Sequence, residues 1–479
     1  MKKKLLYAVA LIVVGLGGCK KDFLETKPYD ADDAAAAFST PEKVAAAMNG
    51  LYDIMTRSGF TNHVLLTTEV KGRDMFVVST GNYGRFVNEY RFLQSPTVGY
   101  GFQFWRDGFA LLNNSNRAIV NLPDAPISAA LKTQNIAEAR AIRAWTYHQL
   151  IRLFAQPYTV DSNSVGLPKI EVPLSPNDVV PQRAAVKEIY AFMLSDLQYA
   201  KANLTRTGDV YKFTKEAIDG MLARVYLDMG NWSKAAEHAK LARARNPLAA
   251  ASTLLDGFVD PTSEWIFGLD YRSDDNTGYL QLASFLEPYD IGYSTFRATP
   301  SYYALFADND IRKKQFYVNL DLVNYNPGDA LQRDTPLIRK NGYLMNKFYF
   351  RDAWDLDMPL MRSAEMYLIE AEAEAEMNHD DLAQAALFEV QKRAITGAVK
   401  STNTGAALKN EISVERRKEL QGEGFAFFDI IRRKETLTRV SPEHWSPITL
   451  APGDYRNILP IPQQEREASG MQQNAGYPL

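Results

Sequence analysis

The side chains best suited to chemistry are one cysteine, five histidines and 57 aspartates and glutamates. The histidines, His63, His148, His238, His379 and His444, never pair at i,i+4 around a Glu, the spacing a helix needs to hold zinc and a general base. His148 and His238 fall inside helical segments and read as packing or surface residues. No G-x-S-x-G elbow, no phosphate-cradling G-x-x-x-x-G-K-[ST] and no G-x-G-x-x-G after a strand occurs. Gly422-Glu423-Gly424 lacks a third glycine and follows a charged helix. An acid pair for glycoside hydrolysis, ~5 to 9.5 Å apart, is a property of the fold and stays open at this level. The residues call for no cofactor and no metal. Aromatics are the other chemical resource, with 25 Tyr, 24 Phe and 6 Trp. A Tyr or Trp ring offers an apolar face and a polar edge, suited to stacking on a ligand as well as to filling a core.

Cys19 has a different chemistry. Lys2, Lys3 and Lys4 precede an apolar run from Leu5 to Leu16, and Gly17 and Gly18 supply small residues before the cysteine. This is the pattern of a signal peptide over 1–18, cleaved before a cysteine that then carries lipid. The apolar run is short of the ~20 residues a spanning helix needs. Cys19 is the only cysteine, so no disulfide forms within one chain, and residues 19–38 read as a lipidated tether. Two or more acyl chains, at about 0.8 kcal/mol per buried CH₂, make a stable anchor. Net charge is −3 without a basic block, which argues against a nucleic-acid partner.

Helical elements are expected to do the positioning. Thr40-Pro41-Glu42 reads as an N-cap, a first-position proline and a first-turn acid, followed by one apolar face of Val44, Met48, Leu51, Tyr52 and Met55. A helical block spans about 102–156, closed by Pro157, and residues 157–182 carry five prolines and read as loop. Another amphipathic helix follows over 183–200. Residues 216–247 match the tetratricopeptide layout: Leu222-Ala223, Tyr226, Gly230, Trp232, Ala235, Ala242 and Pro247 stand in register. Residues 364–393 repeat it with Ala371, a turn at Asn378-His379-Asp380, and Ala383. Such pairs bury their faces only by stacking. Two stretches, about 57–100 and 250–360, lose the helical period and are rich in Gly, Asn and aromatics. Long irregular segments on a helical scaffold suggest a binding face. Residues 39–479 are therefore expected to form a single domain of mainly α class, a helix-pair scaffold packed against a loop-rich half. The run Glu415-Arg416-Arg417-Lys418-Glu419 reads as a solvated helix with a structural role.

That run also begins a resemblance. Glu415 to Leu420, Glu423-Gly424-Phe425 and Phe428-Asp429-Ile430-Ile431-Arg432-Arg433 resemble the C-terminal signature of the SusD/RagB family. So do Leu459-Pro460-Ile461-Pro462, Glu465, and Gln473-Asn474-Ala475-Gly476-Tyr477, where Ala475 replaces the usual Pro. Asp22-Phe23-Leu24 after Cys19, and Glu138-Ala139-Arg140 leading to Arg143-Ala144 and Tyr147, agree. Residues 57–100 and 250–350 carry no family motif. The resemblance implies a non-catalytic lipoprotein on the outer surface of the outer membrane. It implies capture of a nutrient, usually an oligo- or polysaccharide, and delivery to a SusC-type TonB-dependent transporter. Peptide cargo, a glycosidase and a pure protein-binding scaffold are the competing readings. Ligand residues do not transfer by motif; the aromatics Tyr83, Tyr279, Tyr289, Tyr293 and Trp354 of the irregular stretches are the candidates, with Arg73 and Asp74 as polar partners.

Overall fold

The computed structural model describes residues 33–57, 59–78, 81, 83–286, 292–317, 342–350 and 354–478. The first long helix, α1 (Pro41–Thr56), starts where its cap sequence says. The Thr40 hydroxyl accepts the Lys43 N–H, and Val44, Met48, Leu51, Tyr52 and Met55 are buried. Next comes α2 (Thr61–Lys71), a helix inside a stretch whose sequence shows no period. It is buried on nearly every side, so polar and apolar residues alternate without forming a stripe. Strand β1 (Met75–Val77) follows.

The scaffold is a procession of helices: α3 (Gly101–Asn121), α4 (Ala129–Phe154), α5 (Val186–Asn203), α6 (Lys215–Asp228) and α7 (Trp232–Arg243). Each packs chiefly on the next in sequence, the arrangement expected of stacked helix pairs. Between α6 and α7 the chain turns at Gly230, whose φ of 71° is costly for any residue with a Cβ. Ala223 and Ala235 are fully buried, which lets the two helices approach. Strand β2 (Trp265–Leu269) then leads into the second irregular stretch, which holds β3 (Phe296–Ala298) and β4 (Met358–Arg362). Antiparallel ladders join β1 to β3, with Phe76 opposite Arg297, and β2 to β4.

The chain returns to the scaffold with α8 (Ser363–Glu376), which packs on α7, and α9 (Asp380–Ala394). The turn between them places Asn378 at φ 61°. Two further helices, α10 (Gly405–Glu419) and α11 (Ala426–Arg432), close the body. A principal apolar core runs from Phe38 to Met471 through both the helical and the irregular parts. No described helix is long and apolar enough to cross a membrane.

One expectation is corrected here. Glu415, Arg416, Lys418 and Glu419 of α10 are not solvated but buried. Arg312 is the reason: its guanidinium lies 2.7 Å from Glu415 and 2.8 Å from Glu419. Charges this deep need partners from distant elements, and a run of alternating signs in sequence carries no sign of them.

Candidate functional site

The sheet formed by β1 and β3 positions the most distinctive surface. Beyond Val77 the ladder gains one more bond, from the Val78 N–H to the Thr295 carbonyl at 2.8 Å. On either side of that bond lie the loops that carry Tyr83 and Tyr293. Their rings meet edge to face, with centroids 6.3 Å apart at 80°. Tyr293 in turn lies 5.8 Å from Tyr279, and Tyr279 lies 4.2 Å from Trp354. Four rings from three separate segments thus form a continuous, bent row.

Behind the row stands an aromatic foundation. Phe285 backs Tyr293 at 5.1 Å and Phe350 backs Trp354 at 5.3 Å. Phe86 holds Phe285 and Phe296 edge to face at 5.1 and 5.5 Å. The Arg85 guanidinium lies 4.7 Å from the Tyr293 centroid and 5.4 Å from that of Tyr83, within cation–π range of both. His63 lies below, 5.3 Å from Phe86 and 4.6 Å from Tyr100. Burial pushes its imidazole down to about 4, so it is neutral at physiological pH.

In contrast to this foundation, the row itself faces water. Tyr83 is 88% exposed and Tyr279 55%, whereas Tyr293 and Trp354 are half-buried. Its backbone is held in an uncommon state: Tyr83, Phe86, Ser294 and Trp354 have φ of 55°, 59°, 47° and 69°. Left-handed backbone costs a residue with a side chain roughly 1–2 kcal/mol, and such residues concentrate where a ligand is clamped. Packing against the foundation offsets that cost. The result is a preorganised set of apolar faces with hydroxyls at their edges, able to bury the C–H face of a ring-shaped ligand while the hydroxyls fix its orientation.

Tyr83, Tyr279, Tyr293 and Trp354, nominated one by one from sequence, are thus brought together. Tyr289 and Cys19 lie outside the described residues. Arg73 and Asp74 are engaged elsewhere, before the start of β1. Arg73 pairs with Glu435 at 2.5 Å, and Asp74 takes two bonds from Arg417 at 2.5 and 2.9 Å. They tie β1 to α10 and to the segment after α11 rather than edging the row. Arg85 was not foreseen, although its place two residues after Tyr83, across Gly84, was a usable signal.

Comparison with known proteins agrees with this architecture. A family model described as "SusD family" matches residues 317–477, and one described as "Starch-binding associating with outer membrane" matches 22–227. SusD-like protein P2 of Formosa agariphila is 26% identical, with both chains covered completely. A SusD superfamily protein from Bacteroides vulgatus superposes with a TM-score of 0.81 at 25% identity, covering 92% of this chain and 100% of that one. The fold of a "Laminarin binding SusD-like protein" matches with a TM-score of 0.73 at 23% identity, over 92% and 100% of the two chains. With both ends of the chain matched by models of this kind and a relative aligned throughout, the protein belongs to the SusD/RagB family.

Proposed function

We propose that the protein is a non-catalytic binding protein of the cell surface that captures a glycan on the aromatic row and hands it to a SusC-type TonB-dependent transporter. The row of Tyr83, Tyr293, Tyr279 and Trp354 carries this reading: Tyr83 and Tyr279 stay exposed, and Tyr83 and Trp354 hold left-handed backbone, features that need a reason to persist together. The starch-binding description of one matching family and the laminarin-binding name of one structural neighbour support a sugar as the cargo. Lipidation at Cys19 would hold the captor beside the transporter, where a high effective concentration offsets weak affinity for each sugar. Residues 1–18, 19–38 and 39–479 then serve as export signal, tether and single binding domain.

Retention on a panel of immobilised polysaccharides, laminarin and starch among them, tests the reading. One glycan should retain the protein and its oligosaccharides should release it. Tyr279→Ala, at an exposed ring, should weaken binding about tenfold, near 1.4 kcal/mol, with the thermal midpoint unchanged, and Trp354→Ala should weaken it as much while lowering the midpoint through lost packing on Phe350. Retention by peptides and by no glycan would move the cargo to peptide. New reducing ends after prolonged incubation would overturn the non-catalytic reading. Failure of any transporter to co-purify from outer membranes would remove the delivery step.

A further inference from the structure

The outer edge of β1 carries an aromatic ring that the row does not include. β1 bonds to β3 through alternate residues: the Asp74 carbonyl accepts the Thr299 N–H at 2.9 Å, and the Val78 N–H reaches Thr295. Val77, out of step with both, turns its carbonyl to the other edge, where the Trp445 indole N–H donates to it at 2.8 Å. Trp445 stands on the loop joining two antiparallel strands, Leu437–Arg439 and Ile448–Leu450. Just ahead of the ring, His444 Nε2 donates to the Arg73 carbonyl and Nδ1 accepts the Tyr90 hydroxyl, both at 3.1 Å. Glu443 accepts the Ser301 N–H at 2.8 Å and its hydroxyl at 2.6 Å. The indole itself packs on buried Tyr90, with centroids 5.0 Å apart.

Held this firmly, Trp445 is still 42% exposed. A tryptophan that only fills space turns its ring inward and its N–H towards water. Here the orientation is reversed: the N–H is bonded inward, and the part of the indole left to solvent is chiefly carbon. Exposed Arg91, at the end of the short helix Val87–Arg91, holds its guanidinium 6.0 Å from the ring centroid. An apolar face beside a fork of N–H donors suits a pyranose, which has a C–H face and a rim of oxygen atoms. The row is near. Val77 lies opposite Phe296 in the ladder, and Tyr293 is three residues from Phe296. Three residues span at most about 10 Å and paired strands lie roughly 5 Å apart, so the indole nitrogen stands within about 20 Å of the Tyr293 backbone.

We infer that Trp445 and Arg91 form an outlying subsite for one pyranose of the same glycan that lies on the aromatic row, reached across the width of β1. The inference rests on the glycan reading above and sharpens it: the cargo is a chain long enough to cover both places. Shielding the free edge of β1 needs only the indole N–H, which leaves the carbon face for a ligand.

Calorimetric titration of the mature chain tests this with oligosaccharides graded in length, cut from the polysaccharide that retains the protein, laminarin being tried first and starch second. Affinity should rise a second time for chains long enough to leave the row. Trp445→Gln, which keeps an N–H for Val77 and removes the ring, and Arg91→Gln should each weaken the long chains about fivefold and leave the short ones unchanged. Trp445→Phe, which keeps a ring and removes the N–H, should hold the long-chain affinity while lowering the thermal midpoint. A parent that binds and Trp445 variants that match it at every length would overturn this inference alone, leaving the ring as a cover for β1. An equal loss at every length would also overturn it, placing the effect in the row. Should no glycan bind the parent, the glycan reading itself fails and this inference with it.

Discussion

Arg362 is fully buried and holds three carboxylates: Glu264 at 2.5 Å, Glu423 at 2.6 Å and Glu419 at 3.2 Å. Arg393 reaches Glu264 at 2.6 Å and also pairs with Glu419. Burial alone would raise the Glu419 carboxyl, but Arg393, Arg362 and Arg312 outweigh it and hold that group far below the usual carboxylate range. The partners come from four places in the chain, so the network welds β4, the approach to β2, α9 and α10. Arg362→Met keeps most of the volume but removes the one cation shared by all three acids, leaving Glu264 to Arg393, Glu419 to Arg393 and Arg312, and Glu423 to Lys347. Truncating one member of a buried ionic group costs about 3–5 kcal/mol. Guanidinium denaturation should show that loss as a lower midpoint with the slope preserved; an unchanged midpoint would mean that the charges are more hydrated than their burial implies.

At the level of elements, glycine substitutions separate backbone strain from packing. Gly230 turns α6 into α7 at φ 71°, and an added Cβ would meet nothing nearer than a Trp232 carbon at 3.5 Å. Room is therefore available and conformation is not: Gly230→Ala should destabilise by about 1–2 kcal/mol. Gly50 lies within α1, with nothing within 4 Å of an added Cβ and no positive φ. Gly50→Ala should stabilise by roughly 0.5–1 kcal/mol, through helix propensity alone. Paired denaturant titrations check the opposite signs. The Gly230 turn was readable because strain of this kind restricts residue type. Helix α2 was not readable, because an element buried all round loses the polar–apolar period on which recognition depends.

For the whole molecule, buried titratable groups set the response to acid. Burial depresses His63, His148 and His444 to about 4, while in the unfolded chain each protonates near 6.5. Between those values the unfolded state binds more protons, so stability is lost as pH falls from about 6.5 towards 4. Glu69, raised to about 7, and Glu89 and Asp196, also raised by burial, act in the opposite sense, because their folded carboxyls take up protons first. Three depressed histidines outweigh the raised acids, and the net expectation is a fall in unfolding free energy from pH 7 to pH 5. Below that, Glu419, Glu423 and Asp310, each held low by its cationic partners against the effect of burial, deepen the loss. Urea titrations at stepped pH measure the slope; a flat profile would show that the histidines are hydrated.

Sequence by itself determined those features whose physics is local. Capped helix starts, the repeat register around Gly230 and the family signature from Glu415 onward depend on neighbouring residues alone, and each is legible in order along the chain. The aromatic candidates were legible as types but not as a site, since Tyr83, Tyr279 and Trp354 are separated by long stretches and meet only because β1 pairs with β3 and the loops converge. Arg73 and Asp74 carried the same polar promise as Arg85, and only packing decided that the former tie β1 to its surroundings while the latter lies over Tyr293. Burial made the same kind of decision for Glu415 to Glu419: a charge run is solvated or structural according to what the rest of the chain brings against it. Covalent neighbours state propensity, whereas partners distant in sequence state environment, and a binding surface is a matter of environment.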